Sequence, residues 1–297
     1  MGTHHVFRRR TSRTRSVDVL SRRPPQRTAR SIGAAPHAVL QHARTGNDQH
    51  GRVLASFRHG HYVKFGTTVF AIGQERIHAG PLHLLYAGPP PLLGNDSPIT
   101  MSPDRLWSRQ VEIDLRRATR WDPLPPGTES LESSLEVLER ICQPLPPPDL
   151  DVDWRSVEWA SRDEDLTSLR LLLEGRGPGL TPVGDDVLAG VLFLRALARP
   201  DDRRLAMYAQ SAATSDLSRG FLHWAGRGHS IEPVHRLIRQ AGIGHEDAAE
   251  RTATIIENIG ASSGPALLAG IGLAAGAIQT EKGLRASLPQ VVKPSRS

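Results

Sequence analysis

Two adjacent carboxylates, Asp185 and Asp186, close the stretch "GRGPGLTPVGDDVLAG" over residues 175–190. Paired acids can hold a divalent cation, orient an amine or trade a proton. They can also do nothing more than cap a helix. The residues ahead of them narrow the chemistry. Gly177 and Gly179 let another group approach the backbone closely, and Pro178 and Pro182 stiffen the loop. The apolar run "VLAGVLFLRAL" follows at once and reads as a buried helix. This spacing puts Asp185 at the N-cap and Asp186 at the first helical position. A helix N-terminus is an anion site, but two carboxylates there repel a phosphate unless a cation such as Mg²⁺ bridges them. Both readings, capping and a functional pocket, stay open on these residues. The stretch is no P-loop, because it lacks Gly-Lys-Ser/Thr.

A second segment echoes the first at an offset of 80 residues. "VGDDVLAGVLFL" (183–194) aligns with "SGPALLAGIGLA" (263–274), so that Gly184 falls on Gly264 and Gly190 on Gly270. Either two core helices share a composition, or two central helices direct their N-termini at one site. Pro265 and Ala266 replace the acids in the second copy, so any charge at such a site comes from Asp185 and Asp186.

The elements that must position these residues differ along the chain. Residues 1–48 hold ten Arg and no Lys against Asp18 and Asp48. Their net +8 exceeds the +6 of the whole chain, so the remainder is slightly acidic. The basic character therefore belongs to a tail and not to a nucleic-acid-binding face. Residues 1–30 are expected as a disordered basic tail. Residues 31–127 read as a β-rich N-terminal domain. "GRVLASFRHGHYVKFGTTVFAIG" has the β-branched and aromatic residues of hairpins, and Val111, Ile113 and Leu115 alternate with acids. "APHAVLQHA" adds a short helix. Residues 128–297 read as a helical C-terminal domain carrying the Gly/Pro loop, with helices over 155–174, 186–199, 202–218, 231–241, 246–258 and 264–280. The expected fold class is α+β, with a β-rich N-terminal half and an all-helical C-terminal half.

Other side chains carry less. The single Cys142 excludes an internal disulfide, suits a reducing compartment and reads as a buried structural thiol. His59 and His61 form an i, i+2 pair, but spacing supplies no third metal ligand. His78, His83, His229 and His235 read as hydrogen-bonded or flanking residues. No apolar run is long enough to span a membrane. A soluble, cytoplasmic protein is the expectation.

The segments "GPGLTPVGDD.LAG", "SAATSDLS" (211–218) and "GASSGPALLAG" (260–270) together resemble the DUF2877 family, which includes the AllH-like subunit of oxamate carbamoyltransferase. "GRVLASF" and "VEIDLRRATRWDP" look like that family's β-rich half, so the resemblance spans roughly residues 30–285. It implies Gly177, Gly179, Thr181, Pro182, Gly184, Asp185 and Asp186 as signature residues. Thr214, Ser215, Ser218, Ser262, Ser263 and Gly264 carry over with them. The sequence departs from the pattern at Val183, where the family often has Ser. The resemblance further implies a subunit of a multi-subunit carbamoyltransferase in allantoin and purine catabolism. Such a subunit handles carbamoyl phosphate and a small amide or carboxylate beside other carbamoyltransferase subunits. Asp185 and Asp186 are then the catalytic candidates. Arg176, the only cation close to the loop in sequence, joins the loop glycines and hydroxyls as a substrate-binding candidate. A divalent cation is a possible cofactor. The alternative is a non-catalytic assembly or regulatory subunit with a small-ligand pocket at the loop. "TSRTRS" at 11–16 looks like the carbamoyl-phosphate motif of ordinary carbamoyltransferases. It lies in the Arg-rich tail without a surrounding βα unit, and is set aside.

Overall fold

A computed structural model describes residues 24–143 and 145–287 of the chain. The "TSRTRS" segment and most of the basic tail lie outside the described residues. The tail was expected to run to residue 30, but residues 26–30 belong to the first strand, β1 (Gln26–Ile32). Helix α1 (Ala34–Thr45) follows. Seven more strands complete a ring: β2 (Gln49–Phe57), β3 (Gly60–Phe65), β4 (Thr68–Gly73), β5 (His83–Tyr86), β6 (Pro98–Met101), β7 (Arg105–Trp107) and β8 (Glu112–Asp114).

The ring corrects the expected fold class. Expected only as the β-rich half of an α+β arrangement, the N-terminal half is a closed eight-stranded barrel. Its order is β5-β4-β3-β2-β6-β7-β8-β1, and β1 returns to pair with β5. A two-residue strand, β9 (Thr119–Arg120), attaches beside β8 on β1. The first hairpins are antiparallel, whereas β4–β5 and β1–β8 run parallel. Closure follows from strands that sequence reading missed. "QRTARSI" looks like tail, yet Ala29 and Ile32 point inward and are buried. An eight-stranded ring is just wide enough for side chains to fill. Val53, Val63, Phe70, Ile72, Leu84, Ile99, Met101, Leu106 and Ile113 do so. Phe65 and Phe70 stack inside it, with ring centroids 5.5 Å apart.

The C-terminal half is helical, as expected, with its own apolar core. Helix α2 (Thr128–Cys142) buries Leu131, Leu135, Leu138 and Cys142 on one face. The helix expected over 155–174 is two, α3 (Trp154–Ala160) and α4 (Thr167–Leu173). Leu166 adopts a positive φ between them, and the Asp165 carboxylate accepts the Thr167 N–H to start the second. The helix expected over 202–218 also breaks. Helix α6 (Arg203–Tyr208) ends before a loop, and Ser215 caps α7 (Asp216–Ala225). Helices α8 (Glu232–Gly242) and α9 (Glu246–Glu257) pack together beside α2. Two long central helices, α5 (Val183–Ala198) and α10 (Ser263–Ser287), make the most extensive helix contact of the structure. Among the described residues no helix is long and apolar enough to cross a membrane.

Helices α5 and α10 run parallel. Thr181 meets Ser263 at their N-terminal ends, and Arg195 and Arg199 meet Glu281 towards their C-terminal ends. Midway, a Cβ on Gly190 would stand 2.9 Å from the Gly270 Cα, and one on Gly270 would stand 3.0 Å from the Gly190 Cα. Only glycine permits this approach at both positions. The sequence echo therefore marks a real pair of helices. It also repeats one step out, because a Cβ at Gly184 would strike the Leu173 carbonyl ending α4, and one at Gly264 the Ile256 carbonyl in α9.

Candidate functional site

The Gly/Pro loop joins α4 to α5. Gly175, Gly177 and Gly179 all take positive φ, and the loop crest at 175–180 is exposed. Helix α5 begins earlier than expected. Pro182 occupies the N-cap, fixed in an extended conformation, and Val183 opens the first turn. Asp185 and Asp186 thus stand at the third and fourth helical positions, and neither is the cap. The cause is the tightness of the turn: the N–H groups of Asp185 and Asp186 both donate to the Pro182 carbonyl, and that of Gly184 donates to Arg176. Val183, where the family often has Ser, is fully buried under Gly177.

The two acids have different surroundings. Asp185 is buried, and both its oxygens are occupied. Oδ1 accepts the Gly175 N–H at 2.9 Å, and Oδ2 accepts the Thr214 hydroxyl. Ser215 donates to the Leu180 carbonyl at 2.8 Å while its hydroxyl also caps α7. Glu174 pairs with Arg170 and accepts the Ala213 N–H. Segment 211–215 is thereby stitched to both ends of the loop.

Asp186 turns the other way, into the junction of α5 and α10. Its Oδ2 is closed to solvent and has no hydrogen-bond partner. Burial pushes its pKa up to about 7; hydrogen bonding from Ser263 opposes the rise, the charge of Asp185 adds to it, and Thr181 opposes it. The Thr181 and Ser263 hydroxyls lie 3.3 Å apart and tie the two helix starts together. The result is a carboxyl that holds a proton near neutrality, beside two hydroxyls and two helix N-termini.

The barrel contributes residues that sequence reading missed. The Tyr62 phenol is pushed up to about 12 by burial and by the charge of Asp186. Lys64, two residues along the same strand face, pairs with Asp216 at the start of α7. The signal was the alternation in "HYVKF", where His61, Val63 and Phe65 are buried and Tyr62 and Lys64 half-buried. Which face of β3 meets the helices is set only by the tertiary arrangement.

Other candidates fall outside this junction. Gly177 and Gly179 form the exposed crest, and Gly184 and Gly264 are buried packing positions. The Arg176 side chain is exposed, with no partner among the described residues, while its backbone carbonyl anchors Gly184. Ser262 contributes a backbone carbonyl to α10. Among the described residues no three His, Cys, Asp or Glu side chains gather to hold a metal. His59 bonds Gln74, and His61 bonds Ser56 and the Pro91 carbonyl, so the pair is divided.

Fold and site define a barrel-and-helix protein with a half-buried acid where two parallel helices begin. Residues 173–275 match the family model described as oxamate carbamoyltransferase subunit AllH, so the chain is AllH-like over this segment. No curated protein and no solved structure matches it.

Proposed function

We propose that the chain is a subunit of an oxamate-type carbamoyltransferase. In this reading it handles carbamoyl phosphate and a small amide or carboxylate beside other carbamoyltransferase subunits, in allantoin and purine catabolism. One observation carries the proposal: the segment matching the family model contains Thr181, Asp186 and Ser263, which meet where α5 and α10 begin, and Asp185 and Thr214, which brace the loop beside them.

Carbamoyl transfer joins an amide nitrogen to the carbamoyl carbon and expels phosphate. The nitrogen sheds a proton, and negative charge gathers on the carbonyl oxygen. Asp186 takes that proton in this reading, because a base poised near neutrality both binds and releases it. Thr181 and Ser263 supply hydroxyl donors for the developing charge, and the helix N-termini favour it. Arg176, unpaired among the described residues, is the loop's cation for the phosphate. Asp185 is a positioning residue that fixes Gly175 and Thr214.

A second reading is a non-catalytic or regulatory subunit. The solvent-closed, unpartnered Oδ2 of Asp186 favours it, because that oxygen is not open to a substrate. Thermal shift with carbamoyl phosphate and oxamate, alone and with partner subunits, tests ligand binding through mass action. Asp186→Asn in the reconstituted assembly separates the readings. Loss of transfer with intact folding and assembly supports the catalytic role. Full activity overturns it in favour of the second.

A further inference from the structure

A cavity of about 670 Å³ opens at the other end of α5. Prolines 123, 125 and 126, between β9 and α2, form one wall, and the C-terminal turn of α5, α6 and the 226–229 turn form others, with Leu131 of α2 and His235 of α8 between them. Asp186 and Ala196 are roughly ten residues, or about 15 Å, apart along α5, so this cavity is separate from the junction.

Its lining combines an apolar floor with cations. Leu131, Leu197 and Met207 join the prolines, and Met207 is 64% exposed. Arg203 and Arg227 are both exposed at the cavity. Arg203 has no side-chain partner among the described residues, and Arg227 bonds only the neighbouring His223. Arg199 also lines the cavity but is committed to Glu281 and Glu164. Asp202 is the one carboxylate among the described lining residues, and Arg204 holds both its oxygens.

His235 adds an independent pointer. It is 2% exposed and forms part of the cavity lining. Its Nε2 accepts the Ser230 N–H at 3.0 Å, so Nδ1 carries the proton of the neutral ring. That Nδ1 donor is buried and has no acceptor. Buried polar groups are nearly always paired, and an unspent donor beside a cationic cavity asks for an acceptor from a ligand. Burial first, then the charges of His229 and Arg239, depress its pKa to about 3, which keeps the ring neutral.

We infer that this cavity binds a small anion with a flat apolar body, such as a heterocyclic or aryl carboxylate, phosphate or sulfonate. The body lies on the proline and leucine floor, and the anionic group meets Arg203 and Arg227. The volume lies in the range of small-ligand sites. The inference is independent of the carbamoyltransferase reading.

Anilinonaphthalene sulfonate is the probe, with neutral N-phenylnaphthylamine as its uncharged counterpart. The chain has three methionines, of which Met101 is buried in the barrel and Met207 lines the cavity, so labelled methionine methyl groups locate the probe by NMR. The expected result is a saturable shift of the Met207 methyl with that of Met101 unmoved. The double variant Arg203→Ala/Arg227→Ala, in exposed positions, should weaken the sulfonate by about tenfold or more. It should leave the neutral probe unaffected. An unmoved Met207 methyl at saturation, or equal weakening of both probes, overturns the inference.

Discussion

Thr214 donates its hydroxyl proton to Asp185, and this bond fastens the segment before α7 to the first turn of α5. With the Gly175 N–H on the other oxygen, the carboxylate serves as a two-sided brace. Asp185→Ala should therefore lower stability by about 2–3 kcal/mol, the scale of a buried hydrogen bond to a charged group. Asp185→Asn should cost much less, because its carbonyl still accepts from Gly175 and Thr214 can reverse its hydroxyl. Urea unfolding of the two variants decides this. Equal losses would show that the charge itself is needed.

Asp186 should make the protein less stable as pH rises. Its folded pKa, about 7, lies above the ordinary 3.8, so the folded state binds more protons than the unfolded state between those values. The stability it contributes is complete below the lower value and is lost as pH climbs towards the upper. Asp186→Asn mimics the protonated acid and should flatten this slope, gaining on the wild type at pH above about 7. Denaturation midpoints across that window are the check. An unchanged slope in the variant would mean that Asp186 is ionised in the fold throughout.

At the helix crossing, Gly190→Ala should already destabilise, because the new Cβ meets the backbone of α10 and no flexible side chain can yield. A loss of about 1–3 kcal/mol is expected, with Gly190→Leu worse. Gly127 is the control: it caps α2 without a side-chain bond, and a Cβ there meets nothing. Gly127→Ser should be neutral or stabilising by a few tenths of a kcal/mol. Thermal melts of the two variants should move apart.

Cys142 should resist thiol reagents in the native protein. It is buried, and burial followed by the charge of Glu257 pushes its pKa up to about 12, so the reactive thiolate is scarce. Ellman's reagent should titrate almost no thiol before unfolding and one per chain after. Rapid native labelling would contradict the packing of α2 against the helical core.

The helical half was legible because its signals are local. Leu131, Leu135 and Leu138 recur at helical spacing, and the echo that sets Gly190 on Gly270 singled out the two helices that make the central contact. The barrel was not, because closure depends on long-range pairing. Ala29 opposes Tyr86, 57 positions away, and nothing in "QRTARSI" announces that partner. At the site, the Gly/Pro loop and its two acids stood out in the sequence, while Thr214 and Ser263 entered only through the family resemblance. The division of labour between Asp185 and Asp186 was not legible, since it turns on Pro182 starting the helix early. Tyr62 and Lys64 stayed hidden because a strand pattern shows two faces without saying what each one meets.

The closed ring of strands limits how another chain can attach. Seven of its eight seams join neighbouring strands in the order above, and the eighth, β1 to β5, removes the last pair of free backbone edges. Beyond the ring, the two-residue β9 is too short to template a further strand. Among the described residues the paired seams leave little edge for strand addition, so the barrel offers another polypeptide chiefly the side chains of its outer walls, the connecting loops and the helices. Mispairing of exposed strand edges, a common start to aggregation, is suppressed by the same closure.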